Sequence, residues 1–199
     1  MLDALNNIYV VGNFQDTTDL NPGSGVTSVI SQGARDAFIV KLDLNGNYIW
    51  SKTLGSYDNI IVNDITNDIY GNIYIGGFFS GTWEPLPGII LTSAGMKDNF
   101  VMELDSAGNV LWTRTIGNAN SNEFAELAVQ RNGDVFLASG YWGAIDVDPG
   151  PGTYMLNSVG APANVFILHL DSSGNFIDAG SIGGTGASDA CAARALILD

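Results

Sequence analysis

Apolar and polar residues alternate with a period of two along several short segments of the chain. In the segment 99–105, Phe100, Met102 and Leu104 lie on one face, whereas Val101 and Glu103 lie on the other. This period is typical of a β-strand, because successive side chains of a strand point to opposite faces. No segment sustains the 3.6-residue period of a helix, so the pattern predicts an all-β protein.

The alternating segments recur three times. The sequence NIYVVG at 7–12 returns as NIYIGG at 72–77 and as DVFLASG at 134–140, and DAFIVKLDLNGNYIW at 36–50 returns in altered form at 98–112 and 164–178. Matching residues are separated by 62 to 66 positions. Self-similarity at a long period indicates one supersecondary unit used repeatedly.

Each unit is predicted to contain four antiparallel strands. In the second unit we expect them at 59–68, 72–81, 99–105 and 109–118, with a tight Asp-to-Gly turn joining the last two. Repeated four-stranded units are typical of β-propeller blades. The fold class predicted is therefore all-β, a β-propeller-type repeat with three blades. It forms one domain over 1–199, with units at about 3–67, 68–130 and 131–199.

The longest connection within each unit lies between its second and third strands. There the sequences DLNPG at 19–23, EPLPG at 84–88 and DVDPG at 146–150 align, and a short segment after each can add a stub of strand. Pro-Gly pairs after acidic or amide residues are typical of tight turns.

The order of the strands along the chain is circularly permuted relative to the blades. Asp3, Asp68 and Asp199 occupy matching positions, and the first unit lacks its first strand. We therefore expect a strand near 190–199 to complete the first blade. Because propellers usually have about four to eight blades, three arrangements stay open: two chains that self-associate into a six-bladed ring, a longer repeat array, or a smaller or open body.

Composition narrows the classes of partner. The chain has 21 acidic and 7 basic residues, a net charge of −14, and its basic residues are scattered singly. Nucleic acid and anionic membranes need clustered cations, so neither is an expected partner. We expect no membrane span and no signal peptide in this sequence. The single cysteine, Cys191, excludes an intrachain disulfide.

The repeated pattern DxFVxKLDxxGNxxWxxxxGG, followed by GNxYxxGxF, resembles the bacterial β-propeller repeat family abbreviated SBBP. The variety with DFDPGPGT in its long loop is the nearest match, and residues 146–153 read DVDPGPGT. The resemblance covers essentially the whole chain. It implies a propeller of a secreted or cell-surface bacterial protein, and it implies no catalytic residues.

The long loops offer a candidate cation site. Asp19 with Asn21, and Asp146 with Asp148, place oxygen ligands just before a Pro-Gly turn, which suits Ca²⁺. The alternative is that these side chains only cap the turn. The second loop has Leu86 at the position of the second ligand, which favours capping. No other cofactor is expected.

Few residues suggest catalysis. The only histidine, His169, matches Lys41 and Glu103 in the other units, so we expect a solvent-facing polar position. Trp50 and Trp112 match each other, and both are predicted to pack between blades. The aromatic residues that do not recur in every unit are candidates for stacking on a ligand: Trp83, Tyr141 and Trp142.

The strong signals recur in all units, whereas catalysis usually breaks such symmetry at one place. The sequence therefore favours a non-enzymatic scaffold that recognises protein or glycan through its loops. The alternatives are a propeller hydrolase or lyase acting on polysaccharide, and a purely structural spacer.

Overall fold

The computed structural model describes residues 1–120, 122–158, 163–183 and 191–198, with only the backbone of residues 123 and 124. These residues form 17 strands and no helix. The all-β prediction is confirmed, and the strands form antiparallel sheets in a propeller-type arrangement.

The first unit forms a three-stranded sheet with the order β1-β4-β5. A small separate hairpin, β2–β3, lies in the connection between β1 and β4. The strands are β1 (Ile8–Phe14), β2 (Thr17–Asp19), β3 (Ser28–Ile30), β4 (Asp36–Leu42) and β5 (Tyr48–Leu54).

The second unit forms a four-stranded sheet with the order β11-β10-β7-β6, and its outer hairpin is β8–β9. All four strands lie where the alternation predicted them. The strands are β6 (Ile60–Asn67), β7 (Ile73–Phe79), β8 (Thr82–Leu86), β9 (Ile89–Thr92), β10 (Asp98–Leu104) and β11 (Val110–Ile116).

The third unit repeats this plan with the order β12-β13-β16-β17 and the outer hairpin β14–β15. The expected stub of strand after each Pro-Gly loop is confirmed in β3, β9 and β15. The strands are β12 (Glu123–Val129), β13 (Val135–Tyr141), β14 (Ala144–Asp146), β15 (Met155–Asn157), β16 (Asn164–Leu170) and β17 (Phe176–Ile182).

Two hydrophobic cores lie between the sheets. In the central strand β10, Phe100, Met102 and Leu104 belong to the core shared with the first sheet. Val101 belongs to the core shared with the third sheet. The predicted alternation is thus correct, but both faces of β10 are buried. Burial of both faces is what stacked sheets require of an inner sheet.

The Asp-Gly hairpin is the same structure in every unit. Asp105 accepts backbone N–H bonds from Ala107 and Asn109, both at 2.9 Å, and its other oxygen accepts the Asn109 side-chain amide at 2.8 Å. Gly108 has a φ of +85°, a conformation that glycine adopts at little cost. Asp43 and Asp171 make the same three bonds in their own units.

The sheets are joined by aromatic side chains that lie over these hairpins. Trp50 of β5 packs on Gly108 of the second unit, and Trp112 of β11 packs on Gly174 of the third. Trp112 Nε1 also donates to the Ser172 carbonyl at 3.2 Å. The prediction that both tryptophans pack between blades is confirmed.

The expectation that a strand near 190–199 completes the first blade requires correction. The described residues 191–198 form no strand, and the first sheet has three strands. The backbone N–H of Cys191 instead donates to the Ala163 carbonyl at 2.9 Å, which holds this segment beside the third sheet.

Candidate functional site

The first and third Pro-Gly loops share one hydrogen-bond pattern. Asp146 Oδ1 accepts the backbone N–H groups of Asp148, at 3.1 Å, and Tyr154, at 2.9 Å. Asp148 Oδ1 in turn accepts the Gly150 N–H at 2.8 Å. The carboxylates therefore hold the loop backbone, as the capping alternative requires.

Asp19 and Asn21 repeat these bonds in the first loop. Asp19 Oδ1 accepts the N–H groups of Asn21 and Thr27, and Asn21 Oδ1 accepts that of Gly23. The backbone bonds from Asn21 and Thr27 lower the pKa of Asp19 below its ordinary value. The ionised form is thus favoured at neutral pH.

The second loop keeps the cap with a different residue. Glu84 accepts the Gly88 N–H at 2.6 Å, so the loss of an acidic residue at position 86 does not leave this turn uncapped. Within the described ranges, no cluster of three or more His, Cys, Asp or Glu side chains is placed to hold a metal ion. The Ca²⁺ site at Asp19, Asn21, Asp146 and Asp148 stays a prediction.

Two of the three aromatic candidates lie in the hydrophobic cores. Trp83 packs between Phe79 and Phe100, with ring centroids 5.6 and 4.9 Å away. The ring of Tyr141 is buried beside Phe166, and its hydroxyl lies 2.7 Å from the Ser181 hydroxyl. Neither ring is open for stacking on a ligand, because each fills a gap between the sheets and the outer hairpins.

Trp142 is half-buried and remains the aromatic candidate near solvent. Its carbonyl accepts the side-chain amides of Asn118, at 2.7 Å, and Asn120, at 3.0 Å. These bonds hold the backbone just after β13.

Sequence reasoning missed two grooves between neighbouring units. A groove of about 430 Å³ lies between β5 and the outer hairpin of the second unit, with Lys52, Tyr57 and Glu84 among its lining residues. A second groove of about 510 Å³ lies between β11 and the Pro-Gly loop at 148–152. Each groove is formed by residues that are distant in the sequence, so no local motif could predict it.

Lys41, Glu103 and His169 occupy the same position in the three units. Contrary to the prediction, this position does not face solvent. Lys41 and Glu103 are buried, and His169 is partly buried. Lys41 Nζ lies 3.8 Å from Asp3 Oδ2 and donates to the Ser106 carbonyl at 3.1 Å. In the first unit this position therefore joins the sheet to the hairpin of the second unit.

Glu103 lies in a buried polar group with Tyr74 and Asp68. The Tyr74 hydroxyl donates to Glu103 Oε1 at 2.8 Å and lies 3.3 Å from Asp68 Oδ2. Burial raises the pKa of Glu103, and the nearby Asp68 charge adds to this effect. Burial likewise raises the pKa of Tyr74, so its hydroxyl stays protonated and continues to donate.

His169 of the third unit stacks on Phe136 with ring centroids 4.2 Å apart. Its Nε2 atom lies 3.4 Å from Asp134 Oδ2. This imidazole thus has a packing role on its sheet.

No protein-family model matches the chain. A search of curated proteins found similarity to an uncharacterized WD repeat-containing protein of Acanthamoeba polyphaga mimivirus, 26% identical over 170 residues. The match covers 71% of this chain and 12% of that protein, so the chain spans about an eighth of the relative's length. WD repeats build propeller blades, which agrees with the sheets observed here. Among the described residues, no helix has the length and apolarity needed to cross a membrane.

Proposed function

We propose that this protein is a non-enzymatic β-propeller scaffold that recognises a protein or glycan ligand through its outer loops. The proposal rests on the finding that the recurring carboxylates cap their own turns. The carboxylate oxygens of Asp43, Asp105 and Asp171 accept hydrogen bonds from the backbone and the side-chain amide of their own turns. The similarity to a WD repeat-containing protein supports a scaffold or protein-interaction role.

The recognition surface proposed here includes Trp142 and the two grooves between the units. These features do not recur identically, since the first groove carries the exposed ring of Tyr57 and the second is lined by Pro149 and Pro151. Concave surfaces with an exposed aromatic ring and a few polar groups suit both glycan and peptide ligands. The buried Trp83 contributes to the wall of the first groove.

A polysaccharide hydrolase or lyase is the second candidate, and the structure offers it less support. Such enzymes need two carboxyl groups that flank an accessible bond. Asp68 and Glu103 are a neighbouring pair linked by Tyr74, but they are only 6% and 4% exposed. A sugar chain could not reach them without opening the core. The third candidate is a structural spacer without a ligand.

The proposed location rests on the sequence resemblance, whereas the proposed assembly rests on the first sheet. The likeness to the SBBP repeats supports a secreted or cell-surface bacterial protein. Self-association, or membership of a longer repeat array, is part of the proposal, because among the described residues no strand pairs with the outer edge of β1 beyond the Leu2–Ile8 bridge.

Glycan and peptide arrays, combined with a polysaccharide-degradation assay, test the proposal. We expect binding without degradation, and weaker binding after Trp142→Ala or Tyr57→Ala. Tyr70→Ala is the control, since Tyr70 is also strongly exposed, 72% against 86% for Tyr57, but lies on the β6–β7 turn, outside both grooves. Degradation that disappears on substitution of a carboxylate would contradict the proposal, and no binding on either array would favour the spacer.

The Ca²⁺ prediction has its own test. A ligand that binds only the folded state raises the melting temperature. The prediction expects millimolar Ca²⁺ to raise it in the natural protein and to a smaller extent in Asp146→Asn and Asp19→Asn. A melting temperature unchanged by Ca²⁺, together with no heat in isothermal titration, would remove these loops as a cation site.

A further inference from the structure

One backbone hydrogen bond marks the start of each new sheet. Ile60 N–H donates to the Arg35 carbonyl, and Asn122 N–H donates to the Lys97 carbonyl, both at 2.9 Å. Each donor stands at or next to the beginning of the first strand of the following sheet, β6 or β12. The bond from Cys191 to Ala163 has the same length and the equivalent acceptor, the residue just before β16. Residues 191–198 therefore start where the first strand of a further sheet would start.

The side chains of this segment repeat the pattern of β6. Ile60, Val62 and Ile65 of β6 pack in or against the core shared with the preceding sheet. At the same spacing, Cys191, Ala193 and Leu196 are the half-buried residues of the segment, whereas those between them are exposed. In both segments the inward-facing residues are two positions apart and then three positions apart. In β6 this change follows from the register shift after Val62. The segment thus has the starting point and the side-chain pattern of a first strand, although within one chain it pairs with no described strand.

The first sheet has the complementary gap. Leu2 forms a bridge with Ile8, and Tyr9 N–H donates to the Met1 carbonyl, so residues 1–2 occupy the end of a first-strand position. Beyond them, no strand of the described residues pairs with this edge of β1. Val10 lies on the outer face of the first sheet and is 42% exposed, whereas its counterpart Ile75 lies in the core between the first and second sheets and is fully buried.

We propose that residues 191–196 of a second copy of this chain pair with the open edge of β1, and that two copies exchange these segments. The pairing of β6 with β7 supplies the register: Cys191 lies opposite Phe14, as Ile60 lies opposite Phe79, and Leu196 lies opposite Val10, as Ile65 lies opposite Ile75. Reciprocal exchange leaves neither edge open, and open edges are an association hazard. Six sheets also fall within the usual range of about four to eight for a closed propeller.

The contact between copies is weaker than the contacts within a copy. At the position of Trp50 and Trp112 the third sheet has the exposed Asp178, and at the position of Arg114 it has Gly180. Strand pairing therefore provides most of the attachment. Each copy also carries a net charge of −14, so we expect added salt to strengthen the pair by screening repulsion.

The inference deepens the proposed self-association and rests on it, so two separate measurements are needed. Light scattering of the full chain tests association, with an expected mass near 42 kDa, twice the 21.0 kDa of one chain. A monomer at all concentrations and salt levels would overturn the proposal and leave the edge of β1 to some other strand.

The register is tested by a disulfide between Phe14→Cys and the natural Cys191. Cysteines at paired strand positions have a Cα separation that permits the bond. Under oxidising conditions we expect a covalent dimer on a non-reducing gel, and none in Phe14→Cys/Cys191→Ser or in Val26→Cys, which adds an exposed thiol away from β1. A disulfide within one chain, a ladder of longer species, or a light-scattering dimer that does not cross-link would overturn reciprocal exchange in this register.

Because Phe14 is buried, a second variant tests the same contact from the other strand. Leu196→Asp places a charge opposite Val10 of the second copy and should shift the mass from about 42 to about 21 kDa while the circular dichroism stays β-like. Ala192→Asp is the control, because Ala192 is exposed and its position in the segment points away from the core. A dimer retained in Leu196→Asp would overturn the proposal.

Discussion

Trp112 lies over Gly174 of the next unit, with its Cε3 atom 3.0 Å from the point where a Cβ atom on that glycine would stand. Trp50 lies over Gly108 in the same way, at 3.2 Å from Cη2. The third hairpin glycine, Gly46, has nothing within 4 Å of that point. The three hairpins are therefore identical in backbone but differ in what covers them.

Substituting these glycines separates the cost of backbone strain from the cost of lost packing. Gly46→Ala should lower the free energy of unfolding by about 1 kcal/mol, because alanine is strained at a φ of +83°. Gly174→Ala should lower it by about 2–4 kcal/mol, since overpacking against Trp112 adds roughly 1–3 kcal/mol. Urea unfolding at neutral pH measures both. Equal losses in the two variants would show that the tryptophan contact is loose.

Lys41→Met tests the polar link between the first and second sheets. The change removes the bond to the Ser106 carbonyl and the ion pair with Asp3, so we expect the free energy of unfolding to fall by about 2 kcal/mol. Lys52→Met on β5 is the control and should stay within about 0.5 kcal/mol of the natural protein. A Lys41→Met protein as stable as the natural one would mean that the link is dispensable.

Glu103→Gln is expected to stabilise the protein at neutral pH. Burial raises the pKa of Glu103, so the folded state binds this proton more tightly than the unfolded state does. Its contribution to stability is therefore complete at pH values below the pKa of the unfolded chain and is lost as the pH rises through the folded pKa. At pH 7 the charged form therefore makes a net unfavourable contribution, which the amide removes while still accepting from Tyr74.

The comparison is made by urea unfolding at pH 7 and near pH 4. The advantage of Glu103→Gln should disappear at the lower pH, whereas Glu84→Gln, on the exposed outer hairpin, should show little advantage at either. Destabilisation by Glu103→Gln at pH 7 would indicate that the charge itself is needed.

Asp105 has the opposite pH dependence. Bonds from the Asn109 amide and from backbone N–H groups lower its pKa, so its stabilising effect is present above the pKa of the unfolded chain and is lost as the pH falls through the folded pKa. Asp105→Ala should lower the free energy of unfolding by about 1–2 kcal/mol at pH 7, with a smaller loss in acid.

Asp105→Asn is the matched variant for this turn. It keeps an acceptor oxygen for Ala107 and Asn109 but has no charge to titrate, so its stability relative to Asp105→Ala should not depend on pH in acid. Unfolding curves of the three proteins between neutral and acidic pH check both statements. A pH-independent loss in Asp105→Ala would contradict the role of the carboxylate charge.

The repeat and the alternation predicted the strands, their hairpins and the outer stubs because those features follow from local sequence. The Asp-to-Gly turn fixes the β10–β11 hairpin by bonds between residues no more than four positions apart. The same local bonds explain why the capping alternative for Asp19 and Asp146 could be stated from the sequence.

The sequence could not show what covers the second face of each sheet. Alternation correctly put Glu103 on the face opposite Phe100, Met102 and Leu104, but in a series of stacked sheets that face is covered by the next sheet. Lys41 is buried in the same way beneath the hairpin of the second unit. Trp83 is buried because the outer hairpin folds back on Phe100, a contact between residues of two separate strands. The sequence likewise could not show that, within one chain, residues 191–198 lie beside the third sheet and not against β1.

The two cores between the sheets share no residue among those described, and the second sheet contributes to both. Cooperativity in such a series passes from neighbour to neighbour. The first or third sheet can therefore fray while the other pair stays intact. Amide protons of β10 should consequently exchange with deuterated solvent only when the whole series opens, whereas those of β1 and β17 should exchange earlier.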